Sequence, residues 1–155
     1  MPKVLNQLPD DVVKLLTAGR GLFSAQAARA AGISSDRLRR LVAADLLTRV
    51  WHGCYMPTAV HCELSVWGKH GVEARAFSIA SPDACLTNWS AAAVWGLPLL
   101  GKPPPKPSVV WPKVPGLGSS STSPGRFLVA DIPPHHRTEF GDAHVVSRAW
   151  AAVDV

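Results

Sequence analysis

FSAQAARAAGISSDRLRRLVAADLLTRVWHGCYMP, residues 23–57, is the stretch whose pattern decides the fold. Phe23-Ser24 opens a short helix over Ala25–Ala31, with Ser24 as its N-cap. Gly32 suits the left-handed residue that follows a helix end. Ile33 turns inward, and Ser34 caps a further helix, Ser35–Ala44. Its inward stripe is Leu38, Leu41 and Val42, at i, i+3 and i+4. Only Gly32-Ile33-Ser34 joins the two helices, which is the tight glycine turn of a helix-turn-helix. The small side chains of Ala27, Ala28 and Ala31 let the helices approach closely. Leu46–Val50 then reads as a strand, His52-Gly53 as a turn, and Cys54-Tyr55-Met56 as the returning strand before Pro57. A hairpin directly after the second helix of the motif stands where a wing stands.

Working outward, Leu8–Leu16 carries Leu8, Val12, Val13, Leu15 and Leu16 at helical spacing, with Asp10 and Asp11 in the first turn. Gly19-Arg20-Gly21 ends that helix. Beyond the hairpin, residues 63–80 read as a helix broken by Ser81-Pro82-Asp83. Thr87 or Asn88 caps a short helix through Trp95, stopped by Gly96-Leu97-Pro98. A proline-rich connector over 101–107 is extended, and a Gly/Ser loop covers 116–125. Strands are expected at Ser108–Trp111, Arg126–Asp131 and Ala143–Val146, and a last helical turn at Arg148–Val153 under a Ser147 cap. The expected class is α+β: a winged helix-turn-helix over residues 1–58, then a small mixed α/β domain with a short sheet over 59–155. The chain stops at Val155 inside an amphipathic helix, which reads as a shortened C-terminus.

Charge supports this division. The net charge is +5, and eight Lys/Arg against four Asp lie within the first 58 residues, so most of the excess sits there. Clustered basic charge is the footprint of phosphate binding. Apolar residues make up 47% of the chain, with no run of about 18 that would span a membrane. The N-terminus lacks a signal-peptide core, and the three cysteines, Cys54, Cys62 and Cys85, form no CxxC pair. A cytoplasmic protein with reduced thiols and no membrane partner is expected.

The second helix of a helix-turn-helix enters the major groove. With Leu38, Leu41 and Val42 inward, Arg37, Arg40 and Ala44 point outward, flanked by Ser35, Asp36 and Arg39. Arginine donates a bidentate pair to guanine or binds phosphate. Ser35, Arg37 and Arg40 are therefore expected at bases. Arg39 and Arg49 are expected on the backbone, Arg20 on a further phosphate, and His52 at a wing tip that enters a minor groove.

Other chemistry finds little support. His52, Cys54, His61 and Cys62 lie close together, but their spacing fits no standard zinc module, so no metal is expected. His135-His136 follows two prolines and reads as a solvated loop pair. No serine or cysteine is marked as sitting beside an oriented base, and there is no phosphate-binding glycine loop, so neither catalysis nor a cofactor is expected. Trp67, Trp89, Trp95 and Trp150 stand at core-like spacing and read as packing residues.

GLFSAQAARAAGISSDRLRRLVAADLLTRVWHGCYMPTA, residues 21–59, resembles the N-terminal winged helix of the AbiEi-type antitoxins of type IV toxin–antitoxin systems. The likeness lies in Gly32, Ser34 and Ser35, Leu38-Arg39-Arg40, Arg49 and Gly53-Cys54-Tyr55. ACLTNWSAAAVWGLPLLG (84–101), PSVVWP (107–112) and VVSRAWAAVDV (145–155) are similar to later segments of that family. Asn88 departs from it, standing where a histidine is frequent, and the further C-terminal region of longer relatives is absent. The resemblance implies a DNA-binding antitoxin of an abortive-infection system, which defends against phage. Such a protein represses its own operon at an inverted-repeat operator, as a homodimer on DNA, and counters a nucleotidyltransferase toxin. The alternative is a protein-interaction module that docks a toxin or other partner without essential DNA binding.

Overall fold

The computed structural model describes residues 6–111 and 126–155, with only the backbone of Arg126, Phe127 and Val129. The Gly/Ser loop expected at 116–125 lies outside the described residues. The chain divides into two compact units, Met1–Leu64 and Ser65–Val155.

In the first unit, α1 (Asp10–Ala18) precedes a two-residue strand β1 (Phe23–Ser24), α2 (Ala25–Ala30) and α3 (Ser35–Ala43). The hairpin β2 (Leu47–Trp51) and β3 (Cys54–Pro57) follows, then α4 (Thr58–Glu63). Leu8, Val12 and Leu16 put one stripe of α1 into a core shared with Phe23, Ala28, Ile33, Leu38 and Leu47. Apart from the small Ala28, each such side chain contributes roughly 1.5–3 kcal/mol on burial. The Ser24 hydroxyl accepts from the Ala27 amide at 3.0 Å, as a cap should. At the far end of α2, Gly32 takes φ +82°, the Ile33 amide reaches back to the Ala28 carbonyl at 2.9 Å, and that of Gly32 to Arg29 at 3.0 Å. This paired closure satisfies two orphan carbonyls and drops Ile33 beside Ala28 in the core. The same closure ends α1 and α3, with Arg20 (φ 52°) and Asp45 (φ 58°) in the left-handed position.

Four details of this unit depart from the sequence reading. Val42, expected inward, is 36% exposed. The turn after α3 returns the Leu46 amide to the Leu41 carbonyl at 3.0 Å, and Leu41 and Leu46 pack against the core where Val42 was expected. Ala31 is exposed too, so Ala28 alone of the three small residues is fully packed. Phe23-Ser24 does more than open a helix. It pairs antiparallel with β3, Phe23 opposite Tyr55, and makes the wing a three-stranded sheet of order β1-β3-β2. The boundary expected at residue 58 falls at the start of α4, which packs on β2 and β3 and stays with the first unit.

The second unit holds α5 (Val66–Ala80), β4 (Cys85–Leu86), α6 (Asn88–Val94), β5 (Ser108–Trp111), β6 (Arg126–Val129), β7 (Arg137–Phe140), β8 (Ala143–Val146) and α7 (Arg148–Asp154). The sheet is mixed, of order β6-β5-β4-β8-β7. β4 lies antiparallel to β5 and parallel to β8, so a strand of two residues sits at its centre. α5 packs on α6, β4 and β8, and α6 on α7 and β5. The single helix expected over 63–80 is interrupted. Leu64 is extended, and Ser65 starts α5 by accepting from the Gly68 amide at 3.0 Å. β4 and β7 were not expected. The former is too short to show alternation, and the latter carries charge at Arg137 and Glu139. The strand expected at Arg126–Asp131 ends at Val129.

Thus the chain is α+β, a winged helix-turn-helix followed by a small mixed α/β unit.

Candidate nucleic-acid interface

α3 begins where the Ser34 hydroxyl accepts from the Arg37 amide at 3.2 Å. Leu38 faces the core at 3% exposure, which turns Ser35, Asp36, Arg39 and Arg40 to solvent. Arg39 pairs with Asp36 one turn earlier, both side chains more than 70% exposed. Exposed pairs of this kind contribute about 0–1 kcal/mol, so Arg39 exchanges partners readily. The Nε of Arg40 donates to the Asp36 carbonyl at 3.4 Å, a long contact, and the side chain is exposed.

Arg37 differs from the sequence expectation. It is half-buried, and both of its terminal nitrogens face the carboxylate of Asp11 on α1. Nη2 donates to Oδ1 at 3.0 Å, and Nη1 donates to Oδ2. Hydrogen bonding from Arg37 holds the Asp11 carboxyl below its ordinary range, helped by the Val12 amide and opposed by desolvation. Arg37 thus does not stand as a free outward side chain. Sequence reasoning missed Asp11 because it lies 26 residues from Arg37, beyond any local spacing rule. The Asp36–Arg39 pair, at i and i+3, was within reach of such a rule.

On the wing, Gly53 (φ 70°) makes the turn, and a bulge at Val50 shifts the register so that Arg49 faces Tyr55 while Trp51 faces Cys54. Arg49 and His52 are exposed, with Arg49 Nη2 2.6 Å from His52 Nδ1. A guanidinium only donates, so Nδ1 accepts and Nε2 carries the imidazole proton. The Gly53 carbonyl accepts from the Ala25 amide at 2.7 Å, which ties the wing turn to the start of α2. Arg20 is exposed at the end of α1. The expected residues thus fall into the exposed Ser35/Arg39/Arg40 face of α3, the Arg49/His52 pair, Arg20, and an Arg37 held by Asp11.

The second unit contains a pair that the sequence did not mark. His70 Nε2 lies 2.9 Å from Ser90 Oγ, which also accepts from the Ser108 amide at 2.8 Å. Ser90 is fully buried and His70 is 5% exposed, so the pair joins α5, α6 and β5 rather than meeting a substrate. Burial lowers the His70 pKa and raises that of Cys85 to about 11. His136 is not the solvated loop residue expected: its Nδ1 is 2.8 Å from Ser147 Oγ and its ring lies 4.9 Å from that of Trp150. Trp67 stacks on Trp89 at 5.8 Å, and Trp95 meets Phe140 edge-on at 5.4 Å while donating to the Val146 carbonyl. Among the described residues, no group of three His, Cys, Asp or Glu side chains is placed to hold a metal ion, and no helix is long and apolar enough to cross a membrane.

No curated protein matches the chain. The later segments 84–101, 107–112 and 145–155 lie outside the stretch that a known family covers. That stretch is residues 10–58, which runs from α1 through the wing, and there the chain is similar to a family described as transcriptional regulator, AbiEi antitoxin.

Proposed function

We propose that this chain is a sequence-specific repressor that binds double-stranded DNA and serves as the antitoxin of a type IV toxin–antitoxin system. The observation that carries the reading is the exposed Ser35/Arg39/Arg40 face of α3, on the second helix of a helix-turn-helix whose sequence matches a family of regulators. In this reading Ser35 and Arg40 meet base edges in the major groove, and Arg39 leaves Asp36 for a phosphate. Arg49 contacts the backbone beside the wing, and the Nε2–H of His52 points toward a minor groove. Arg20 adds a phosphate contact at the end of α1. A homodimer on an inverted repeat would set half-sites about one helical turn, roughly 34 Å, or a multiple apart. A nucleotidyltransferase toxin is the proposed protein partner. The proposed setting is the cytoplasm.

The test is fluorescence anisotropy with the duplex upstream of the chain's own reading frame, against a scrambled duplex, from low to high salt. Selective binding whose logarithm falls linearly with log salt is expected, with a slope of about −0.9 per phosphate neutralised. Equal affinity for both duplexes overturns sequence-specific repression. Co-expression with the neighbouring gene product, followed by pulldown, tests the toxin partner.

A further inference from the structure

We propose that Asp11 is a positioning residue for DNA recognition: it holds Arg37 as a strut between α1 and the recognition helix α3, and leaves base reading to Ser35 and Arg40. This rests on the DNA-binding reading above.

The geometry is that of a fork. Two nitrogens of one guanidinium meet two oxygens of one carboxylate, and Asp11 Oδ1 also accepts from the Val12 amide at 3.0 Å. Such a bidentate pair fixes orientation as well as distance. Exposure separates it from the other ion pair of α3. The Arg37 and Asp11 side chains are 36% and 39% exposed, against 79% and 72% for Arg39 and Asp36. The strut also sits next to core anchors at both ends. Val12 follows Asp11 at 0% exposure, and Leu38 follows Arg37 at 3%. Both side chains belong to the one core cluster of this unit, but apolar contacts are non-directional. The fork adds the direction, holding the first turn of α3 in one rotation, and with it the neighbouring Ser35 and Arg40. A DNA phosphate or base that took Arg37 would have to displace a carboxylate already fitted to it. Arg40 makes no such exchange.

The experiment uses the full chain and the upstream duplex, with Asp11→Asn, Arg37→Lys, Arg37→Ala and the charge swap Asp11→Arg/Arg37→Asp. Affinity is measured across salt, and circular dichroism melts confirm folding. Each single variant should bind about fivefold more weakly, the swap should recover most of that loss, and the salt slope of Arg37→Ala should match that of the unaltered chain, because coupled pairs give non-additive cycles. The inference is overturned if Arg37→Ala flattens the slope by about 0.9, since Arg37 then neutralises a phosphate itself. It is equally overturned if Asp11→Asn binds more tightly, which would make Asp11 a competitor of DNA. Wild-type affinity in Arg37→Lys, which keeps the charge but loses the fork, also counts against it, and this arm stands even where the swap does not fold. If the unaltered chain binds neither duplex, the DNA-binding reading itself fails.

Discussion

Arg40 and Gly19 show how single side chains divide between recognition and folding. Arg40 lies on the exposed face of α3, with one long contact to the Asp36 carbonyl. Arg40→Ala should therefore weaken operator binding and flatten the salt dependence by about 0.9 if it neutralises one phosphate, with an unchanged melting curve. Unaltered affinity in the anisotropy titration would remove Arg40 from the interface. Gly19 precedes Arg20 in the chain but has no side chain to offer DNA. A Cβ there would lie 1.9 Å from the Leu22 carbonyl oxygen, which is backbone and cannot swing aside. Gly19→Ala should destabilise the first unit by about 1–3 kcal/mol, read as a lower urea midpoint. The sequence marked Gly19 only as part of a helix end. The reason it must be glycine is the path of the chain just after it.

At the scale of elements, the caps are what the sequence displayed best. Ser24, Ser34 and Ser147 each accept an amide from the first turn of the expected helix. Ser34→Ala should cost about 1 kcal/mol, seen as a lower melting temperature, and should also weaken DNA binding because α3 starts at this cap. α6 is capped from outside its own segment. Thr87 gives it no side-chain cap bond. Asp154 of α7 instead accepts from the Thr87 hydroxyl at 2.8 Å and the Asn88 amide at 3.0 Å. Charged hydrogen bonds contribute more than neutral ones, but Asp154 is exposed, so Asp154→Ala should cost roughly 1 kcal/mol in the denaturation midpoint. A loss indistinguishable from zero would mean that water replaces the carboxylate without cost. No local pattern could disclose this cap, because its donor and acceptor are 66 residues apart.

For the whole molecule, the buried His70 links the stability of the second unit to pH. Burial lowers its pKa in the folded state from 6.5. Between that lowered value and 6.5 the unfolded chain binds more protons than the folded one. Stability is then complete above about pH 6.5 and falls as the medium is acidified toward the folded-state value. Tryptophan fluorescence suits the measurement, since Trp51 alone of the tryptophans lies in the first unit. The urea midpoint should drop between pH 7.5 and 5, and His70→Gln should remove part of that drop. An identical pH profile in the variant would show that His70 is not the group responsible.

The sequence by itself determined the winged helix-turn-helix: the capped helices, the turn at Gly32, the hairpin at Gly53 and the arginines of α3. Each of these is written within a few residues, in side chains that satisfy nearby backbone groups or alternate between inside and outside. Tertiary structure decided the rest. It decided that Leu46 packs where Val42 was expected, that Phe23-Ser24 completes the wing sheet, and that two residues at Cys85–Leu86 form the central strand of the second sheet. It also decided that Arg37 meets Asp11 rather than standing free. These outcomes depend on partners distant in the chain. Periodicity can say that a side chain turns inward or outward, but only the folded path brings it to a particular neighbour.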